Sequence, residues 1–347
     1  MFYERDNDVQ YSIGLAKDIL ERLGIAYQLK SFNTHSNEFT SVAVTVNENG
    51  KLLPLSSGKG HYSQAIASGL FEAIEHYYLN GRDTHIKMLS VPDIIKQKKS
   101  LLGIVPLNLL MDVDIPCLKL KNLVLDDTIW YPKCFIMDSK DKIDIPNFVL
   151  KYVSNNGIAV GLSEKESLIH ALNEIMERET LSRHLQEVFL MNNFSTFRQL
   201  DIDTLPCYLR KKIIDIEKTT GEDLTILDIT CYEGFYTYYA WIKGNVVPFK
   251  GSGTSQDPEI ALNRALSELY QSYAMYSNEE YEKDLLSVKN FKAIPPYLAI
   301  LKCHYPNDDY ELVSFKTMKN QFRSCTELLE NIKNILISQR LSAYCMY

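Results

Sequence analysis

Three stretches of this chain follow one pattern: a glycine-bearing loop, then a helix-length run with polar residues at i, i+4 and i+7. SSGKGHYSQAIASGLFEAIEHYY carries Ser68, Glu72 and Glu75. SNNGIAVGLSEKESLIHALNEIMERET carries His170, Glu174 and Glu177. GSGTSQDPEIALNRALSELYQSY carries Arg264, Glu268 and Gln271. Steps of four and three put each triplet on one helix face. The recurrence predicts an internal repeat of loop–helix elements, with a period of roughly 100 residues that is too long for a solenoid.

On the first helix, Ile66, Leu70, Phe71, Ile74, Tyr77 and Tyr78 gather on one side and the triplet falls on the other. A solvated acidic face usually carries Lys or Arg one turn away. Between Gly60 and Gly81 there is neither. Uncompensated carboxylates, repeated on a second helix, suit a hard cation such as Mg²⁺, which takes oxygen ligands and is often shared with phosphates. The third triplet changes sign: an arginine fork suits phosphate oxygens, and a glutamine amide both donates and accepts. The preceding loops add Lys59 and backbone N–H groups at Ser57–Gly60, at Asn155-Asn156-Gly157 and at Gly251–Thr254.

The chain has 347 residues, 46% hydrophobic and 23% charged, which describes a globular protein. A net charge of −7 argues against general binding to nucleic acid or to anionic membranes. No apolar run approaches a bilayer span, and the acidic start MFYERDNDVQ has no signal-peptide core. The seven cysteines form no C-x-x-C pair, so they read as reduced, mostly buried thiols of a cytoplasmic protein, with no zinc spacing. The P-loop and Rossmann fingerprints, H-R-D, D-F-G, H-E-x-x-H and G-x-S-x-G are missing, and no catalytic residue can be assigned. His184 reads as a helix-surface residue. ATP, if bound, needs a different kind of site.

Helical patterns cover Ser12–Leu23, Gln64–Asn80, Ser163–Val188, Leu205–Thr219, Pro258–Tyr276 and Glu327–Arg340. Strand patterns cover Phe39–Val46, Cys117–Leu125, Trp130–Met137, Leu224–Cys231 and Tyr236–Lys243, with a hairpin turn at Asn49-Gly50. No linker divides them, so the chain reads as one α+β unit.

Taken together, the three segments resemble the YcaO family of ATP-dependent peptide-modifying enzymes. Its first motif is similar to Ser68-x-x-x-Glu72-x-x-Glu75. Its second resembles Ser154-Asn155-Asn156-Gly157-Ile158-Ala159 followed by Glu174-x-x-Glu177-Arg178, and its third looks like Arg264-x-x-x-Glu268-x-x-Gln271. The resemblance implies a single YcaO-like domain over 1–347, with mixed sheets and packed helices. Its motif core spans about 55–280, after an N-terminal helix and hairpin (1–54) and before a C-terminal extension (281–347). It implies Mg²⁺ on Glu72, Glu75, Glu174 and Glu177, and ATP phosphates near Lys59, Ser68, Asn155, Arg178 and Arg264. Glu268 and Gln271 complete the nucleotide site. The implied activity is phosphorylation of backbone amides in a ribosomally made precursor peptide, giving azolines from Cys, Ser or Thr. Thioamide or amidine formation, or a non-catalytic scaffold that presents the peptide, are the alternatives. A separate leader-peptide-binding protein would present the substrate, a dehydrogenase is a candidate partner, and a homodimer is compatible with the pattern. Two features depart from the family: His76 stands where arginine is frequent, and the tail RLSAYCMY lacks the prolines common in azoline-forming members.

Overall fold

Asp8 opens the first helix by accepting a hydrogen bond from the Gln10 N–H, so α1 (Val9–Arg22) starts a turn before its apolar pattern does. The computed structural model describes residues 4–48, 50–53, 55–79, 86–98, 107, 114–136, 152–194, 197–305, 310–317 and 324–346. After α1, β1 (Ile25–Asn33) pairs antiparallel with β2 (Thr40–Glu48), from Ile25 opposite Glu48 to Asn33 opposite Thr40. The other edge of β2 takes β3 (Lys51–Leu52) at one end and β4 (Ser56–Gly60) at the other. The expected hairpin turn is present, with Gly50 at a φ of 86° and its N–H on Asn47 Oδ1; Asn49 lies outside the described residues. α2 (Tyr62–Leu79) and α1 cover this sheet, burying Leu20, Val42, Val44, Leu70 and Ile74 in one cluster. Asn80 and Gly81, the expected end of α2, also fall outside the described residues.

A second sheet has the order β11–β10–β9–β8–β12: Phe249–Ser255, Tyr236–Ile242, Thr225–Asp228, Arg198–Asp201 and Glu311–Ser314. Its β10 alternates with period two. Tyr238, Ala240 and Ile242 face a core with α5 (Cys207–Thr220) and α6 (Pro258–Ala274), while Tyr239 and Trp241 face an aromatic cluster around Tyr305. Leu262, Leu266 and Leu269 of α6 are fully buried there, each contributing roughly 1.5–3 kcal/mol. Asp257 caps α6 and Pro258 occupies its first turn, as the sequence predicts.

α4 (Glu164–Phe189) is the longest helix among those described, and packs against β11 and α9 (Cys325–Ser338). A third sheet joins β5 (Ile86–Ser90), β6 (Asp114–Asn122), β7 (Thr128–Pro132) and β13 (Tyr344–Cys345), with α3 (Val91–Gln97) against it. The strand expected over Trp130–Met137 is shorter, because Pro132 cannot donate to a ladder and a 3₁₀ turn follows. α7 (Asn278–Phe291) and α8 (Pro295–Lys302) form a hairpin before β12.

Two of the three glycine-bearing loops are strands. Ser56–Gly60 is β4 and Gly251–Thr254 lies within β11. A Cβ on Gly58 would stand 1.8 Å from the Ala65 carbonyl oxygen, and one on Gly251 would stand 2.2 Å from that of Ala265. These glycines let a helix backbone lie directly on its strand, which is a different use from cradling an anion. The remaining segment, the one before α4, has turns in place of a strand, and Gly157 there has a φ of 81°. The thiols need a correction too: all seven are free, but only Cys117, Cys134 and Cys325 are buried. Among the described residues no helix is long and apolar enough to cross a membrane.

Candidate active site

α2, α4 and α6 bring their polar faces together. Gly58 and Gly69 let α2 sit on β4, which aims Glu72 back at its own strand, where its carboxylate accepts from the Ser57 N–H at 3.1 Å. The Gly157 turn meets α4 in the same way, its N–H reaching Glu174 at 3.3 Å. Glu177, one turn on and 8% exposed, accepts from Ser252 Oγ of β11 at 2.7 Å. From α6, Glu268 reaches across to Lys59 Nζ at 2.6 Å. Each glutamate is therefore fixed by a partner that is distant in sequence.

The electrostatics are those of a site short of cations. Glu75 is pushed up to about 7 by burial, then by repulsion from Glu72 and Glu174. Burial also raises Glu72 and Glu174, against the backbone N–H bonds they accept and the nearby Lys59. Glu177 is raised by burial and then by Glu268. Lys59 and Arg178 are the positive charges that oppose this carboxylate cluster. Arg178 Nε is buried and has no hydrogen-bond partner among the described residues. A buried guanidinium N–H without an acceptor is costly, and an anionic ligand oxygen would satisfy it. The donor set fits a divalent cation, which takes carboxylate oxygens, together with a phosphate chain.

Arg264 is held tightly, donating to the Thr254 carbonyl at 2.7 Å and to Glu4 at 2.5 Å. No motif signals Glu4, which lies far outside the three segments. Its carboxylate is 8% exposed and also accepts from Ser255 Oγ at 2.6 Å and Asn173 Nδ2 at 3.2 Å. The next residue, Arg5, shares a small cleft with Ser12, Gln64, Ser68 and Phe71. Ser68 thus faces the N-terminal segment. His170 keeps a solvent-accessible surface although protein crowds it, and that crowding, then Arg264, Arg5 and Lys59, drives it down to about 3. It is a neutral imidazole at pH 7.

Three more residues singled out by the sequence have the following places, and of these only His184 departs from its expected position. Asn155 is exposed; its carbonyl accepts from Ile158, and no described contact ties its side chain to the glutamates. Gln271 lies one turn beyond Glu268, where its carbonyl accepts from Met275 near the end of α6, and no described contact ties its amide to the other triplets. His184 is buried, 3.0 Å from Tyr305 Oη, because α4 turns that face toward the aromatic cluster. His76 stands 3.1 Å from Ser56 Oγ. An apolar cleft of about 570 Å³, which meets the site at Gly157, opens between α4, α9 and residues 341–346, lined by Gly157, Ala171, Ile175, Leu336 and Tyr344.

The family model described as "YcaO cyclodehydratase, ATP- and Mg²⁺-binding" matches residues 57–346. The chain belongs to the YcaO family. ATP and Mg²⁺ are therefore its expected ligands, and the carboxylate and arginine geometry above accommodates them. The fold is similar to that of YcaO from Methanopyrus kandleri bound with AMPPCP and Mg²⁺, with a TM-score of 0.68, 17% identity, and coverage of 96% of this chain and 84% of that one. A heterocyclase in complex with substrate and cofactor gives 0.73 at 17% identity, covering 98% of this chain and 50% of the heterocyclase. The Escherichia coli microcin synthetase McbBCD complex gives 0.58 at 15% identity, over 89% and 80% of the two chains. Among curated sequences, an uncharacterized protein of Mycobacterium tuberculosis is 26% identical over 145 residues, 41% of this chain. An uncharacterized protein of Methanothermobacter thermautotrophicus is 25% identical over 229 residues, 63% of this chain and 57% of that protein. The match spans 28% of the mycobacterial protein's length.

Proposed function

We propose that this YcaO protein uses Mg·ATP to activate backbone amides of a ribosomally made precursor peptide, closing azoline rings from Cys, Ser or Thr. The observation that carries the reading is the cation-poor carboxylate cluster on α2, α4 and α6 beside Arg178 Nε, which has no partner among the described residues. In this reading Glu72, Glu75, Glu174 and Glu177 hold Mg²⁺. Lys59, Arg178 and Arg264 neutralise phosphate charge, and Ser68, Asn155, Glu268 and Gln271 complete the nucleotide site. Bound ATP supplies the phosphoryl group that makes an amide oxygen a leaving group. The protein's own part is positioning and charge neutralisation, which is most of what phosphoryl transfer asks of an enzyme. The proton that the raised Glu75 favours is what the cation would displace. The peptide would lie in the apolar cleft beside Gly157, delivered by a separate leader-binding protein in the cytoplasm; a dehydrogenase is the natural next partner if azolines are oxidised.

Mass spectrometry of the precursor after incubation with the protein, its genomic-neighbour proteins and Mg·ATP tests this. Loss of one water per modified Cys, Ser or Thr is expected. Exchange of oxygen for sulfur, or an amidine mass, would replace the azoline reading with that chemistry. An unmodified peptide together with no ATP turnover would leave the scaffold reading.

A further inference from the structure

The apolar cleft along α4 continues past Leu168. Leu123, Leu168 and Cys345 line it and also line a second, polar cleft of about 440 Å³, between the first turns of α4 and α9 and the end of β6. Lys121, Lys165 and Lys333 stand in the wall of this second cleft, with Asp6, Glu164 and Glu330. The formal charges balance, so the groups already engaged decide its character. Glu330 is paired with Lys333 at 2.7 Å. Asp6 accepts from the Cys325 N–H at the start of α9, at 3.2 Å. Glu164 lies in the first turn of α4, where its charge offsets that helix's own dipole. Lys121 and Lys165 make no ion pair among the described residues, and Lys165 Nζ donates to the neutral Thr326 Oγ1 at 2.7 Å. Asn122, at the end of β6, is 3% exposed and lines the same wall. Its Oδ1 accepts from the Val124 and Leu125 N–H groups, both at 2.9 Å, which turns Nδ2 away from that loop. Nδ2 has no partner among the described residues. A buried amide donor without an acceptor is costly, and with two uncompensated ammonium groups in the same wall it suits a carboxylate.

Position along α4 says where that carboxylate belongs in a ligand. Gly157 packs against Ile175, since a Cβ there would stand 2.6 Å from Ile175 Cδ1, and its N–H reaches Glu174. This end of the apolar cleft therefore adjoins the carboxylate cluster. Lys165 precedes Ile175 by ten residues on the same helix. At 1.5 Å per residue the separation is about 15 Å. An extended peptide covers it in about four or five residues, at roughly 3.3 Å each. We propose that the polar cleft is a specificity site for an acidic residue of the substrate peptide, about four or five positions from the residue being modified; this rests on the reading above, in which the apolar cleft holds that peptide.

Calorimetric titration of the full chain, without nucleotide, tests this. The probes are acetyl-Cys-Gly-Leu-Ala-Val-Asp-amide and the same residues in reverse order, each beside a twin with Asn in place of Asp. In one of the two orders the Asp peptide should bind about 10-fold tighter than its Asn twin, the scale of one charge-assisted hydrogen bond. Lys165→Gln and Asn122→Asp should each reduce that preference to within about twofold. Asn122→Asp keeps the acceptor that the Val124 and Leu125 N–H groups use, while it removes the donor and adds repulsion. Unchanged melting shows that both variants fold. Moving Asp next to Cys in the probe should also abolish the preference, because the carboxylate then falls short of the lysines. Equal affinity for Asp and Asn peptides in both orders, no measurable binding of any probe, or a preference that survives both variants would each overturn the proposal. The titration involves neither Mg·ATP nor a modified product. A lost preference therefore counts against this site alone, and a failure to form rings with the preference intact counts against amide activation alone.

Discussion

The spacing E-x-x-E occurs in two different settings in this molecule. On α2 and α4 it gives Glu72/Glu75 and Glu174/Glu177; on α7 and α9 it gives Glu279/Glu282 and Glu327/Glu330. The α7 and α9 examples behave as isolated helices would. Glu279 is 79% exposed and pairs with Lys283 at 2.7 Å, which lowers its pKa; Glu330 is 60% exposed and pairs with Lys333. The α2 and α4 examples are withdrawn from solvent, raised in pKa, and braced by Ser57, Gly157 and Ser252. One local motif is thus a solvated face in one place and a cation-starved cluster in another. The difference lies in what each helix packs on: a glycine-bearing strand that admits close approach, or neighbouring helices and connecting segments.

The sharpest way to break this contrast is to remove a carboxylate from each kind. Glu72→Gln and Glu177→Gln should weaken Mg·ATP binding by about 100-fold, the scale expected for losing a ligand or its orientation. Calorimetric titration of the folded variants checks this, and wild-type affinity in both would remove the metal assignment. Next is the packing that makes the difference. Gly58→Ala forces a Cβ to within 1.8 Å of the Ala65 carbonyl, so it should destabilise the fold by roughly 3 kcal/mol and weaken Mg·ATP binding as α2 is displaced. Denaturant melts alongside titration would register both. A smaller effect is expected at Glu4→Gln. With Arg264 less firmly held, ATP affinity should fall about 10-fold, the cost of a weakened charge-assisted bond. Tighter ATP binding would instead mean that Glu4 competes with phosphate.

The pH dependence follows from Glu75. Its carboxyl titrates near 7, above its ordinary value, so ionisation is disfavoured in the folded, metal-free protein. The stability that its protonated form retains is present at low pH and is lost as pH rises through about 7. Mg²⁺ selects the ionised form. Its affinity should therefore increase as pH rises toward and through 7, with proton release visible in buffers of different ionisation enthalpy. Smallest of all should be Glu282→Gln and Glu327→Gln, which should leave nucleotide affinity within about twofold, as expected for surface positions remote from the site.

Much of this was legible in the chain. The period of α6, its Asp257-Pro258 start, the Gly50 hairpin and the alternation of β10 are local consequences of side-chain chemistry, and they appear where the pattern puts them. The missing lysines around Glu72 and Glu75 already marked those carboxylates as unusual, because compensation by i+4 neighbours is a local matter too. Other features were not legible. SSGKG and GSGTS read as loops because glycine is a poor strand former, and only the helix lying on each strand explains why glycine is required there. His184 reads as a surface residue by its spacing, yet α4 presses that face on Tyr305. Glu4 carries no motif, and its role arises solely because the chain's start lies against Arg264, Asn173 and Ser255, residues far away in sequence. The sequence by itself determined the three motif helices, their polar faces and the sign of the charge on each. Only the tertiary structure decided which of those faces meet, because burial and like-charge repulsion depend on distances between segments that no local spacing encodes.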